Sequence, residues 1–277
     1  MDTQSLFSAT KYFILFFIFK ASLANPYIKS LESNTRIVGG SEVEPGSLPY
    51  MVAILFNNTE NGGAVYFHCG GAIISNHHVL TAGHCIQGWS AYHFLVVAGA
   101  HDLFFPAATQ VTHEVVEVSV QDLFYWEDGT AIPVNDVALL RVAEPFVFGD
   151  GIGPISVTQQ DQEPAPLTPC TVAGWGSIVP GGPLSNVLRS VEVAVVEQQY
   201  CIESYQSRIK DTMLCAGYPT GQQDACQGDS GGPLVCNGVI EGVVSWGVGC
   251  AEPLNYGVYA RVSYFSDWIE KHNYVPQ

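Results

Sequence analysis

Eight cysteines constrain this 277-residue chain more than any other feature. They lie at 69, 85, 170, 201, 215, 226, 236 and 250, well apart and with no Cys-x-x-Cys pair, which argues against a zinc site. An apolar run from Tyr12 to Phe19, flanked by Lys11 and Lys20 and followed by Ser22-Leu23-Ala24, has the layout of a secretory leader. Its eight residues fall far short of the roughly 20 that a membrane-spanning helix needs, so no membrane anchor is expected. An even number of cysteines in a secreted chain reads as four disulfides, whose pairing the spacing leaves open.

Ten Lys and Arg against 26 Asp and Glu give a net charge of −16, which excludes the basic surface of a nucleic-acid binder. Apolar residues make up 47% and charged residues only 13%, ample material for a core and unlike a disordered chain. Alternating or β-branched runs at 50–56, 116–120, 191–195 and 239–246 are separated by Gly- and Pro-containing turns, and predict an all-β sandwich or barrel. Only 263–272 has helical spacing, with Tyr264, Trp268 and Ile269 on one face. No repeat or linker divides the chain.

Three segments carry chemistry. Thr81-Ala82-Gly83-His84-Cys85 sets a histidine beside a cysteine, Asn135-Asp136-Val137-Ala138-Leu139-Leu140 sets a carboxylate before an apolar strand, and Gly228-Asp229-Ser230-Gly231-Gly232-Pro233 sets a serine in a Gly-rich turn. Singly, each has an ordinary reading as a core histidine, a strand cap or a surface turn. Together in one leader-bearing chain, and with Arg36-Ile37-Val38-Gly39-Gly40 ahead of them, they point to a serine-hydrolase triad of His84, Asp136 and Ser230.

These motifs resemble those of a trypsin-like serine protease of the chymotrypsin family, and the resemblance runs from Ile37 to the C-terminal helix. It implies an all-β, chymotrypsin-like fold of two six-stranded antiparallel β-barrels with the active site between them and a C-terminal α-helix. It further implies a signal peptide at 1–24, an activation propeptide at 25–36 and a protease domain at 37–277. His84 would serve as general base and acid, Asp136 would orient it, Ser230 would form the acyl-enzyme, and the N–H groups of Gly228 and Ser230 would form the oxyanion hole. Asp224 matches the base of the specificity pocket and would select Arg or Lys; Ala225, where trypsins often carry Ser, favours Arg over Lys. Gly247 and Gly257 match the pocket walls, and Ser245, Trp246 and Gly247 the edge strand that receives the substrate backbone. A cut after Arg36 would free the Ile37 amine to pair with Asp229.

The same resemblance pairs Cys69 with Cys85, Cys170 with Cys236, Cys201 with Cys215 and Cys226 with Cys250. Expected partners are proteins cut at Arg or Lys, proteinaceous protease inhibitors, and an activator of the same specificity or the enzyme itself; the enzyme is expected to be a secreted monomer. Ala100 and Thr109 stand where calcium-binding trypsins keep glutamates, so no calcium site and no metal is expected. Tyr256 stands where many trypsins have Pro; an aromatic there accompanies sodium sensitivity in the family, against the simpler reading of a packed loop tyrosine. Phe67-His68 reverses the common order, and nothing in the sequence accounts for His78. Residues 121–135 form a longer acidic loop with Asp122, Glu127 and Asp128, read as solvated charge. Asn57-Asn58-Thr59 is a glycosylation sequon.

Digestive or general extracellular proteolysis is the expected role, favoured by the absence of extra domains; the alternative is a cascade protease cutting few substrates, to which Ala225 and Tyr256 point. A non-catalytic homologue acting as a binding module would be expected to lack a triad member, and none is lacking. Loss of the first 36 residues leaves six basic against 24 acidic groups, a net −18, which predicts few sites for self-cleavage.

Overall fold

The structure, a computed structural model, describes residues 40–59, 62–221 and 223–273. The expected leader, propeptide and Arg36-Ile37 junction lie outside the described residues.

The β-branched runs close into two antiparallel barrels. In the first, the strands Met51–Asn57, Val65–Ile73, His78–Thr81, Ala138–Val142, Val111–Val120 and Phe94–Ala98 are neighbours in that order around the ring. In the second the order is Arg189–Val196, Pro169–Gly174, Pro233–Cys236, Val239–Trp246, Gly257–Arg261 and Met213–Ala216. That ring closes through the pairs Val195 with Ala216 and Val196 with Cys215. Closure leaves no long edge exposed to another chain.

Alternation explains which side chains fill each barrel. Val52, Ile54, Phe94 and Leu140 pack in the first core; Val172, Val193, Leu234 and Tyr259 pack in the second. The strand expected at 116–120 begins at Val111, and its inward face changes along its length. His113 and Val115 point inward, a register shift follows between Val115 and Glu117, and Val118 and Val120 then pack on the core while Val116 is exposed. A bulge of this kind turns a strand over.

The expected helix spans Val262–His272. Of the face expected, Trp268 and Ile269 pack on the first core beside Val262 and Phe265, while Tyr264 is exposed. Tyr264 lies one residue, about 100° of rotation, from Phe265, on the side turned away from the core. All four disulfides, Cys69–Cys85, Cys170–Cys236, Cys201–Cys215 and Cys226–Cys250, are formed. No described helix is long and apolar enough to cross a membrane.

The barrels meet through the fully buried Trp175, which packs with Met51, Ala53, Val97 and Leu188 and donates its indole N–H to His101 O at 2.9 Å. A backbone bond from Gly70 N to Ser230 O, 2.8 Å, ties a strand of the first barrel to the serine turn of the second.

Candidate active site

His84 sits on a one-turn helix, Gly83–Ile86, entered directly from the strand His78–Thr81. The Cys69–Cys85 bridge anchors the adjoining residue to the strand Val65–Ile73. Asp136 precedes the strand Ala138–Val142 and is 2% exposed. Its Oδ2 accepts from His84 Nδ1 at 2.7 Å and from the Ser245 hydroxyl at 2.5 Å, while Oδ1 accepts the His84 backbone N–H at 2.7 Å. Burial works against an imidazolium at His84, but the charge of Asp136 and its hydrogen bond outweigh it, so the His84 pKa is raised. A carboxylate on Nδ1 assigns the proton there and leaves Nε2 as the basic nitrogen.

Ser230 occupies the turn before the strand Pro233–Cys236 and is half-buried. Gly228, two residues earlier, has φ +97°, a conformation that L side chains rarely adopt. Among the described residues, the backbone N–H groups of Gly228 and Ser230 donate to no protein acceptor, whereas those of Asp229, Gly231 and Gly232 do. No hydrogen bond joins Ser230 to His84; the imidazole Nε2 lies 3.7 Å from Cys85 Sγ. Such contacts are commonly long before substrate arrives.

Ser230 also lines a cavity of about 190 Å³, together with Asp224, Ala225, Ser245, Trp246, Gly247 and Gly257. The Cys226–Cys250 bridge forms part of its wall. Asp224 is 5% exposed; its Oδ2 accepts the Ala251 N–H at 3.1 Å, and its Oδ1 is buried with no partner. Burial pushes the Asp224 pKa up to about 7, against the pull of the Ala251 and Ala225 N–H groups. A side chain at Gly257 would come within 2.7 Å of that free oxygen, so glycine keeps the carboxylate accessible.

Asp229 is buried between the barrel strands, accepting from Gly176 N at 2.8 Å and Cys226 N at 2.9 Å. Burial raises its pKa to about 6 although both N–H groups favour the charge. A Cβ on Gly176 would lie 2.5 Å from this carboxylate. The partner expected for it, Ile37, lies outside the described residues.

Several features of the site arise only from the fold. Ser245 was expected only as part of the substrate-binding edge, yet its hydroxyl is committed to Asp136. Residues 121–135 contain a small hairpin of Tyr125–Trp126 and Pro133–Val134, which sets the Trp126 ring 6.4 Å from that of His84. Of the acidic groups in that segment, Glu127 is bonded to Lys210 at 2.7 Å. Tyr256 is a packed residue, buried in a cluster with Tyr205, and its carbonyl accepts the Tyr205 hydroxyl at 2.5 Å. His78 is buried as a neutral ring: burial lowers its pKa to about 4, with Arg141 adding to the effect, and Ser75 Oγ lies 3.1 Å from its Nδ1. The Asn57 side chain, at the end of a barrel strand, accepts the Thr59 hydroxyl at 2.7 Å.

The family model described as Trypsin matches residues 37–269. Anionic trypsin of Canis lupus familiaris is 34% identical over 90% of this chain and 93% of its own length. Trypsin-2 of Salmo salar is 35% identical over 84% and 94%, and Trypsin eta of Drosophila melanogaster is 36% identical over 88% and 91%.

Proposed function

Since the chain belongs to the trypsin family of serine endopeptidases, we propose that it is secreted as a precursor, activated by a cut after Arg36, and hydrolyses polypeptides after Arg and, less well, Lys. The observation that carries this reading is that Ser230 and the half-satisfied carboxylate of Asp224 belong to one cavity. A buried carboxylate oxygen without a partner is costly until a cation meets it.

With a guanidinium on Asp224, the carbonyl of the same residue comes to Ser230. The hydroxyl oxygen attacks the carbonyl carbon as His84 Nε2 takes its proton, and the carbonyl electron pair moves onto oxygen. The N–H groups of Gly228 and Ser230 stabilise that oxyanion; one such donor is typically worth about a hundredfold to a thousandfold in rate. Collapse breaks the C–N bond, and the Nε2 proton passes to the departing amine. Water then repeats the sequence on the acyl-enzyme. Throughout, Asp136 holds the imidazole in one tautomer and stabilises its cation.

Ala225 supports the preference for Arg, because a lysine ammonium lacks a hydroxyl partner there, whereas a guanidinium can bond both Asp224 oxygens. Asp229 supports activation: a carboxylate held at 1% exposure would be stabilised by the ammonium that a cut after Arg36 creates. Four disulfides fit an extracellular site of action, and protein substrates and proteinaceous inhibitors are the general kind of partner. The test is a cleavage profile of the chain cut after Arg36 on a denatured protein, beside Ser230→Ala. Cuts at most accessible Arg and Lys sites, absent from the variant, are expected; cleavage retained by Ser230→Ala would overturn the assignment.

A further inference from the structure

The strand Met51–Asn57 ends on a side chain with an unused donor. Asn57 Oδ1 accepts the Thr59 backbone N–H at 3.2 Å and the Thr59 hydroxyl at 2.7 Å. A backbone N–H only donates, so the amide oxygen is the atom that faces Thr59 and Nδ2 is turned away from it. Among the described residues, no acceptor takes a hydrogen bond from Nδ2. Asn57-Asn58-Thr59 has the acceptor pattern for N-linked sugar, with no proline between. Thr59 and residues 62–66 are exposed, so an enzyme can reach the turn.

The surface beside Asn57 is apolar. Side chains alternate along a strand, which puts Asn57 on the face of Leu55, two residues or about 7 Å away. Its register partner is Val65, which shares a face with Phe67. Leu55, Val65 and Phe67 all line one groove of about 590 Å³, together with Leu103, Phe104 and Gln110. Val65 is 42% exposed and Phe104 70%. Contiguous exposed apolar surface of this kind marks a place that something covers. The Gln110 side-chain oxygen is buried without a partner, so the cover must bring a donor to an otherwise apolar wall. An N-acetylated pyranose does both, since its C–H faces are apolar while its hydroxyls and amide N–H donate. Asn57 also stands away from the reacting groups: Val65 is five residues, about 16 Å of strand, from Gly70, whose N–H bonds Ser230 O. A net −18 after removal of the first 36 residues disfavours a second copy as the cover.

We propose that Asn57 carries an N-linked oligosaccharide whose N-acetylglucosamine core lies over Leu55, Val65 and Phe104 and gives the Gln110 oxygen its donor. Transfer joins Asn57 Nδ2 to the anomeric carbon of the sugar, breaks that carbon's bond to the diphosphate of a lipid-linked oligosaccharide, and releases the amide proton with the diphosphate. Thr59 positions the acceptor, because its hydroxyl and N–H hold the carboxamide by its oxygen and leave the nitrogen free. The modification rests on the secretory route in the proposed function and involves none of the reacting groups.

The full chain expressed in eukaryotic secreting cells, before and after treatment with a peptide N-glycosidase, provides the test. The secreted protein is expected to lose mass on treatment and to show aspartate in place of the linked asparagine in peptide mass spectra. Thr59→Ala and Asn57→Gln should be secreted without sugar and, once cut after Arg36, hydrolyse an Arg amide at an unchanged rate. Hydroxyl-radical labelling then reads the groove. Val65 and Phe104 should be labelled several-fold more in Thr59→Ala than in the glycosylated protein, while Leu254, exposed outside the groove, stays the same. A secreted protein without sugar on Asn57, or equal labelling of Phe104 with and without sugar, would overturn the proposal. Failure to enter the secretory route would instead refute that part of the proposed function. The chain with residues 1–24 replaced by the leader of an unrelated secreted protein still brings Asn57 to the transferase and decides the proposal in that event. Self-association of the glycosylated protein that Phe104→Ser abolishes would assign the groove to a second copy and sink the proposal.

Discussion

The Ser245 hydroxyl donates to Asp136 Oδ2, the same carboxylate oxygen that holds His84 Nδ1. One strand therefore lines the Asp224 cavity and braces His84, so in the proposed mechanism substrate seating and base orientation share a support. Removing this donor leaves Asp136 a more basic carboxylate, which stabilises the imidazolium further. Ser245→Ala is expected to lower kcat by about tenfold, the worth of one hydrogen bond to a charged group, and to move the acid limb of the pH profile upward. A limb that moves down, or an unchanged kcat, would contradict this coupling.

The acid limb should depend on the substrate. His84 must be unprotonated to act as base, and its pKa lies above the ordinary histidine value. Asp224 must be ionised to meet an arginine, and its pKa is about 7. As pH falls through that range both protonations reduce kcat/KM for an Arg substrate, so the limb is steeper than one proton allows. With an uncharged substrate cut by Asp224→Ser, only the His84 proton remains and the slope should return to one.

Pocket chemistry predicts a reciprocal pair of variants. Asp224→Ser should cost a hundredfold or more, roughly, in kcat/KM on Arg, because the guanidinium is then buried without a partner. Ala225→Ser should raise Lys efficiency several-fold and narrow the Arg to Lys ratio; an unchanged ratio would show that the missing hydroxyl does not set the preference.

In the uncut chain Asp229 is a stability liability above its pKa. Its folded value, about 6, exceeds the unfolded 3.8, so its contribution is fully present below about pH 4 and is lost as pH rises through 6. Thermal midpoints of the uncut chain and Asp229→Asn should diverge in favour of the variant between pH 4 and 7. After the cut, with an ammonium beside Asp229, the order should reverse.

The barrels are legible in the sequence through β-branched alternation, and the candidate site through short motifs, two of which, at His84 and Asp136, the fold brings into contact. The sequence says less where a side chain's task depends on a distant strand. Ser245 reads as a polar residue on an edge, and only the fold brings it to Asp136, 109 residues earlier. Val116 looks like one of an inward series until the bulge beside it turns the strand over. Tyr264 and Phe265 are equally apolar neighbours in a helix, and the docking angle alone decides which is buried. Glu127 reads as solvated charge but is paired with Lys210, 83 residues away.

The placement of the six cations that remain beyond residue 36 bears on the fate of the enzyme in its own presence. Arg141 and Arg189 are built into barrel strands, Arg261 ends another and is bonded to Glu163, and Lys271 lies in the terminal helix. Arg208 ends the short helical turn Gln206–Arg208 and Lys210 follows it outside any helix or strand, both inside the ring closed by Cys201 and Cys215. A molecule attacked there by its neighbour would be nicked inside a disulfide-closed ring. Its two pieces would stay covalently joined, migrating as one chain without reductant and as two with it, so ageing of the enzyme should register first as a hidden break rather than as loss of mass.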